Sequence, residues 1–230
     1  MPPKTKKKST AIQARPTAPA PRNRTMGDEI VRIDAVYHVP ELAPKAPGPW
    51  NGEAEKVAWT DAATGYGCII RRSAAGGHLA GYVGIMPGHP LFGYSASALR
   101  DVGLRIHGGV NYAEPCLGPE PENRSVCHVS ASDRMRAARA PKSARAHDHM
   151  WWIGFECNQP TDVVPGVRPS LPPSMLTGTV ERVYRDEGYV LEQCRWLAEQ
   201  LKAIGDGRDL SDVPERDIPP AGYDPGKAVN

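Results

Sequence analysis

Phenylalanine occurs only twice in this chain of 230 residues, and hydrophobic residues make up 40% of it. A chain this short of large apolar groups is expected to bury a core of roughly 150 residues, with the remainder in tails and loops. No stretch approaches the roughly 18 consecutive apolar residues that a membrane-spanning helix needs. The charged amino terminus is not followed by an apolar segment, so no secretory signal is expected. Four common signatures are missing as well: the Gly-x-x-x-x-Gly-Lys-Ser/Thr loop, Gly-x-Gly-x-x-Gly, His-Glu-x-x-His and Gly-x-Ser-x-Gly. Their absence argues against phosphate-loop nucleotide hydrolases, dinucleotide-dependent dehydrogenases, zinc proteases and α/β-hydrolases.

Cysteine is sparse and scattered. The five residues Cys68, Cys116, Cys127, Cys157 and Cys194 include no Cys-x-x-Cys pair. This usage reads as reduced thiols in a cytoplasmic protein rather than a disulfide framework. Cys116, Cys127, His128 and Cys157 are donors of the types zinc takes, but Cys127 and His128 are adjacent and face opposite ways on a strand. His147-Asp148-His149 is a second such cluster. Zinc is the minor alternative, and a divalent metal stays open as a cofactor.

Glycine (23) and proline (24) are abundant. The first 25 residues carry seven basic groups and no acid, which leaves 21 of the 28 basic groups against 26 acids beyond them. Residues 1–27 read as a disordered basic arm able to touch polyanions weakly. Residues 28–58 read as a Pro-rich connector whose apolar stretch Ile30 to Val39 lies on the core as an edge strand. A single α+β domain is expected over 59–204, with 130–148 as a mobile insertion and 205–230 as a frayed tail.

Within the domain, Tyr66–Arg71 and Leu79–Ile85 form a hairpin around a Gly-containing loop. Ser95 caps a short helix. Val102–Ile106 and Val110–Ala113 read as strands, and Met150–Phe155 is the strongest strand. Val190, Cys194, Leu197, Leu201 and Ile204 make one apolar stripe at helical spacing, with Asp186 as N-cap and Gly205 as C-terminal stop. Strands in runs with one closing amphipathic helix predict a mixed or mostly antiparallel sheet, the helix packed on it.

Three pieces could carry chemistry. Gly88-His89-Pro90 fixes a histidine in a rigid loop, as a general base or ligand requires; the alternative is a turn that uses the ring structurally. His107-Gly108-Gly109 offers an imidazole beside two glycines whose N–H groups could receive an anion, or a β-bulge. Glu156 at a strand end and Asp162 in a Pro-bounded loop supply acid–base or metal-binding carboxylates, or else a solvent-facing Glu and an Asx-turn. Trp151 and Trp152 could stack on a base.

Trp59-Thr60-Asp61, Leu79-x-Gly81-Tyr82-Val83, Gly88-His89-Pro90, His107-Gly108-Gly109, Cys127-His128-Val129, Trp151-Trp152-x-Gly154-Phe155-x-Cys157 and Tyr184-Arg185-Asp186 occur in that order. The pattern resembles a group of bacteriophage and prophage proteins over roughly Trp59 to Leu201. The resemblance implies a phage-related setting and no particular reaction. It also implies an Asp in the place of Glu156 and a His near Asn158, so this chain retains the carboxylate and lacks the imidazole.

The leading expectation is a hydrolase acting on a phosphorylated or nucleotide-like molecule. His89, His107, Glu156 and Asp162 would be catalytic, with Gly108, Gly109, Trp151 and Trp152 binding the ligand. The alternatives are a protein that sequesters a nucleotide-like signal and a phage accessory protein acting through protein contacts. On the first two readings, His107→Ala should abolish activity or binding with little change in melting temperature.

Overall fold

The computed structural model describes residues 22–116, 120–128, 149–167 and 182–218. The insertion expected at 130–148, most of the basic arm and the last twelve residues lie outside these. The strands are β1 (Arg22–Met26), β2 (Glu29–Ile33), β3 (Ala35–Tyr37), β4 (Lys56–Thr60), β5 (Gly67–Arg72), β6 (Leu79–Ile85), β7 (Tyr112–Pro115) and β8 (Trp151–Glu156). The helices are α1 (Ala96–Leu99) and α2 (Glu187–Gly205). The fold is α+β: six strands form an antiparallel sheet in the order β3-β4-β5-β6-β8-β7, and β1 and β2 form a separate hairpin.

Alternation along the strands divides the core between the two faces. Val57, Trp59, Cys68, Ile70, Leu79, Val83, Ile153 and Phe155 pack with Val190, Cys194, Leu197 and Leu201 of α2. Ala58, Ile69, Ala80, Tyr82 and Trp152 form the opposite face with Val126. The apolar stripe of α2 therefore lies against the sheet, and the Asp186 side chain accepts from Tyr189 N–H at 2.9 Å as N-cap. The residue with positive φ beyond the helix is Gly207, not Gly205. A Cβ on Gly205 would lie 3.0 Å from the His89 ring, so glycine there serves close approach.

Other expectations shift. Residues 22–27, expected within the arm, form the first half of the β1–β2 hairpin, because Met26, Val31 and Ile33 bury against the core. The connector supplies the edge strand β3 and also the start of β4. Residues 103–111 contain no strand: Arg100–Val102 is a 3-10 turn, and pairing begins only at Tyr112. Cys116 and Cys127 are joined by a disulfide with their Cα atoms 5.1 Å apart. This corrects the reading of five reduced thiols, and the cysteine content no longer argues for a reducing compartment. A separation of 11 residues matches no paired-cysteine motif, so only the fold brings the two together.

A buried ionic network docks the first turn of α2. Arg72 donates to Glu53 at 2.8 Å, Glu53 accepts from Glu187 N–H at 3.1 Å, and Arg24 of β1 grips the Glu187 carboxylate. The start of α2 is thereby fixed relative to β5 and β1. Among the described residues, no helix is long and apolar enough to cross a membrane.

Candidate functional site

The strand β8 ends in the loop Cys157–Asp162, and this loop carries a carboxylate at each end. Pairing of Ala80 with Glu156 sets the register. His78, two residues before Ala80, then falls diagonally beside Glu156 on the face turned away from α2. The loop crosses the end of the sheet, so Asp162 arrives on the α2 side, where His107 and Tyr189 lie.

Asp162 is fully engaged. His107 Nε2 lies 2.7 Å from Oδ2, Gln159 N–H donates to the same oxygen at 2.8 Å, and Arg185 Nε donates to Oδ1 at 2.8 Å. Burial pushes the Asp162 carboxyl up, but these three donors outweigh it and its pKa falls below the ordinary value. The other His107 nitrogen, Nδ1, is 2.8 Å from the Tyr189 hydroxyl, which also accepts from Gln193. With Nε2–H on the carboxylate, Nδ1 accepts from the phenol. Burial drives Tyr189 up to about 12, so it remains protonated as that donor. Every strong polar atom of His107 and Asp162 is spent inside the protein.

The His78–Glu156 pair is different. His78 is 4% exposed, and among the described residues neither ring nitrogen has a hydrogen-bond partner. Its Nε2 stands 3.6 Å from Glu156 Oε2, just beyond hydrogen-bond length. Asn158 Nδ2 donates to the same oxygen at 3.0 Å. The neighbouring imidazole is the main reason that Glu156 is held below the usual carboxylate range, and burial opposes it. The Glu156 side chain is 31% exposed, so the carboxylate opens outward while the imidazole sits behind it.

A cleft of about 520 Å³ lies over this pair. His78, Glu156, Asn158, Gln159 and Asp162 form its polar part, Val164 and Val167 form an apolar wall, and Arg182 completes the lining. A ladder pins the Arg182 segment to the loop: Val183 N–H donates to Thr161 O at 3.0 Å, and Val183 O accepts from Val163 N–H at 3.0 Å.

The residues expected at the site are thus distributed. His107 and Asp162 meet; Glu156 stands at the other end of the same loop, beside His78. His89 is elsewhere, with Nδ1 accepting from Leu91 N–H at 3.1 Å and Nε2 lying 2.8 Å from Leu201 O. Tyr189 and Leu201 are twelve residues apart on α2, so the two histidines are separated by about 18 Å along the helix. Gly109 N–H is satisfied by Ile106 O at 3.1 Å, which removes it from any anion nest. Gly108 packs on Gln159, where a Cβ would come within 2.4 Å of the side-chain amide. Trp152 is 0% exposed. Trp151 donates to Tyr94 O at 3.0 Å and lies against Phe92, at the far end of β8 from Glu156. Neither indole reaches the cleft.

Among the described residues, no group of three or more His, Cys, Asp or Glu is arranged to hold a metal ion. The zinc alternative loses its donors: Cys116 and Cys127 are bonded to each other, and His128 is buried between Asp34 and Glu122 at 3.3 and 3.4 Å. His78, Tyr189, Arg185 and Arg182 were not singled out from sequence. The Gly76-Gly77-His78 hairpin exit was the available signal for the first. Comparison with protein-family models, with curated proteins and with solved structures returns no match to this chain.

Proposed function

We propose that the protein is a small-molecule hydrolase of phage-related origin, with Glu156 as the catalytic base of the cleft and His78 as the positioning residue that keeps its carboxylate ionised. The observation that carries this reading is His78: a buried imidazole whose two nitrogens have no hydrogen-bond partner among the described residues, beside a carboxylate that faces a cleft. A buried polar group left without a partner costs about 1–3 kcal/mol. Such a cost at a cleft is characteristic of a functional group rather than a packing group.

In the proposed step, Glu156 Oε1 accepts a proton from a bound water as the water oxygen attacks the acyl or phosphoryl centre of the substrate. Glu156 returns this proton to the leaving oxygen as the bond to that oxygen breaks, while His78, 3.6 Å behind Oε2, favours the ionised form of the carboxylate. Water is consumed, two fragments leave, and the pair is restored. Asn158 keeps the carboxylate oriented. The His107–Asp162–Arg185 assembly holds the far end of the loop.

The test is turnover of 4-nitrophenyl acetate and bis(4-nitrophenyl) phosphate. Glu156→Gln is expected to lower kcat by about 10²–10⁴-fold while leaving the unfolding midpoint nearly unchanged. His78→Gln should shift the acid limb of the kcat profile, a change that a packing role would not produce. Absence of turnover by the wild-type protein, or equal turnover by Glu156→Gln, overturns the reading. Sequestration without hydrolysis is the second reading, favoured by the burial of both His78 nitrogens.

A further inference from the structure

Resting on that reading of the cleft, we infer that its ligand is an amphiphilic molecule bringing a single negative group, anchored by Arg182 and lying against Val164 and Val167. Arg182 donates through Nε to Pro160 O at 3.1 Å, and among the described residues its guanidinium has no carboxylate partner. The backbone ladder through Val183 fixes its segment to the Thr161–Val163 part of the loop that carries Glu156. This arginine is therefore held in register with the carboxylate rather than waving from an independent surface. A planar guanidinium with its Nε already tied presents its terminal N–H groups to a carboxylate or phosphodiester.

Charge limits how much anion the cleft accepts. Arg182 is the one lysine or arginine among the residues lining it, against Glu156 and Asp162. Asp162 is already balanced by Arg185. Among the described residues, a second or third phosphate oxygen would face the ionised Glu156 with no further lysine or arginine in the lining, and Gly109 N–H is already bonded. A polyphosphate is disfavoured on these grounds. Part of the wall is apolar and open: Val167 is 56% exposed beside Val164, and an apolar body laid on it would be removed from water. A monoanion with an apolar body, whether carboxylate or phosphodiester, satisfies both features.

Two arms separate this inference from the hydrolytic reading. In the binding arm, 3-phenylpropionate, 3-phenylpropionamide and diphosphate are titrated by ligand-observed NMR against the full chain, the Arg182→Gln variant and the Glu156→Gln variant. The carboxylate is expected to bind most tightly, and Arg182→Gln should weaken it about 10-fold, the value of one charge-assisted contact. The amide should be unaffected by that change. Equal binding of carboxylate and amide, indifference to Arg182→Gln, or tighter binding of diphosphate overturns the inference. In the turnover arm, Arg182→Gln should raise KM for the anionic bis(4-nitrophenyl) phosphate more than for the neutral 4-nitrophenyl acetate. Arg182-dependent binding without turnover in any variant upholds the inference and defeats the hydrolase. Turnover of bis(4-nitrophenyl) phosphate that depends on Glu156 but not on Arg182 does the reverse.

Discussion

The loop from Glu156 to Asp162 sets a carboxylate beside a histidine at each end, and the two pairs are built in opposite ways. At the Asp162 end, both oxygens of the acid and both nitrogens of His107 are occupied by Tyr189, Arg185 and Gln159. At the Glu156 end, the histidine is as deeply buried yet has no bonded partner, and the acid opens on a cleft. A His–carboxylate contact alone therefore does not mark a reactive centre. Spare hydrogen-bonding capacity does, because a group whose lone pairs and protons are all spent has nothing to offer a substrate.

The widest separation between the two ends should appear on removing the acid that holds the loop. Asp162→Ala leaves His107, Arg185 and Gln159 N–H without their shared acceptor in a buried setting, and should cost about 3 kcal/mol. Denaturant unfolding measures it, and a loss under 1 kcal/mol would show that the loop does not depend on this anchor. His107→Ala should cost about 2 kcal/mol, since Asp162 retains two donors and Tyr189 retains Gln193. Turnover per folded molecule should then stay close to wild type. This reverses the expectation from sequence, in which His107 carried the chemistry and the melting temperature was to stay unchanged. Glu156→Gln should alter stability by no more than about 0.5 kcal/mol, its consequence falling on turnover instead.

Much of the architecture was legible because it rests on local periodicity. The α2 stripe, the Asp186 cap, the hairpin around Ser73–Gly77 and the alternation of β8 all follow from neighbours within a few residues. The loop bearing Glu156 and Asp162 was legible for the same reason. What decides between the two carboxylates was not. His78 reaches Glu156 only through the register of β6 on β8, across more than seventy residues of chain, and a Gly-Gly-His hairpin exit looks like ordinary turn chemistry. Likewise, His107 looked reactive because its partners Tyr189 and Gln193 arrive from α2, over eighty residues on. The disulfide between Cys116 and Cys127 escaped notice because its spacing is unremarkable and its closure is tertiary.

The smallest effect expected is a difference in pH dependence between the two ends. Asp162 and Glu156 both titrate below their ordinary values in the folded protein. Their contribution to stability is therefore complete above a pH of about 4, where the unfolded carboxyls are ionised, and it is lost as pH falls through the folded values. Glu187, raised by burial, works in the opposite direction on the same flank, so the raw slope mixes the three. Comparison with variants isolates each end. Asp162 is held by three donors within the protein, whereas Glu156 is lowered mainly by His78 across a gap of 3.6 Å and is partly open to water. Asp162→Ala should accordingly flatten the acid limb of unfolding free energy against pH more than Glu156→Gln does. Equal flattening by the two variants would mean that His78 and Glu156 are coupled as tightly as His107 and Asp162, and the distinction between a holding pair and a working pair would fall.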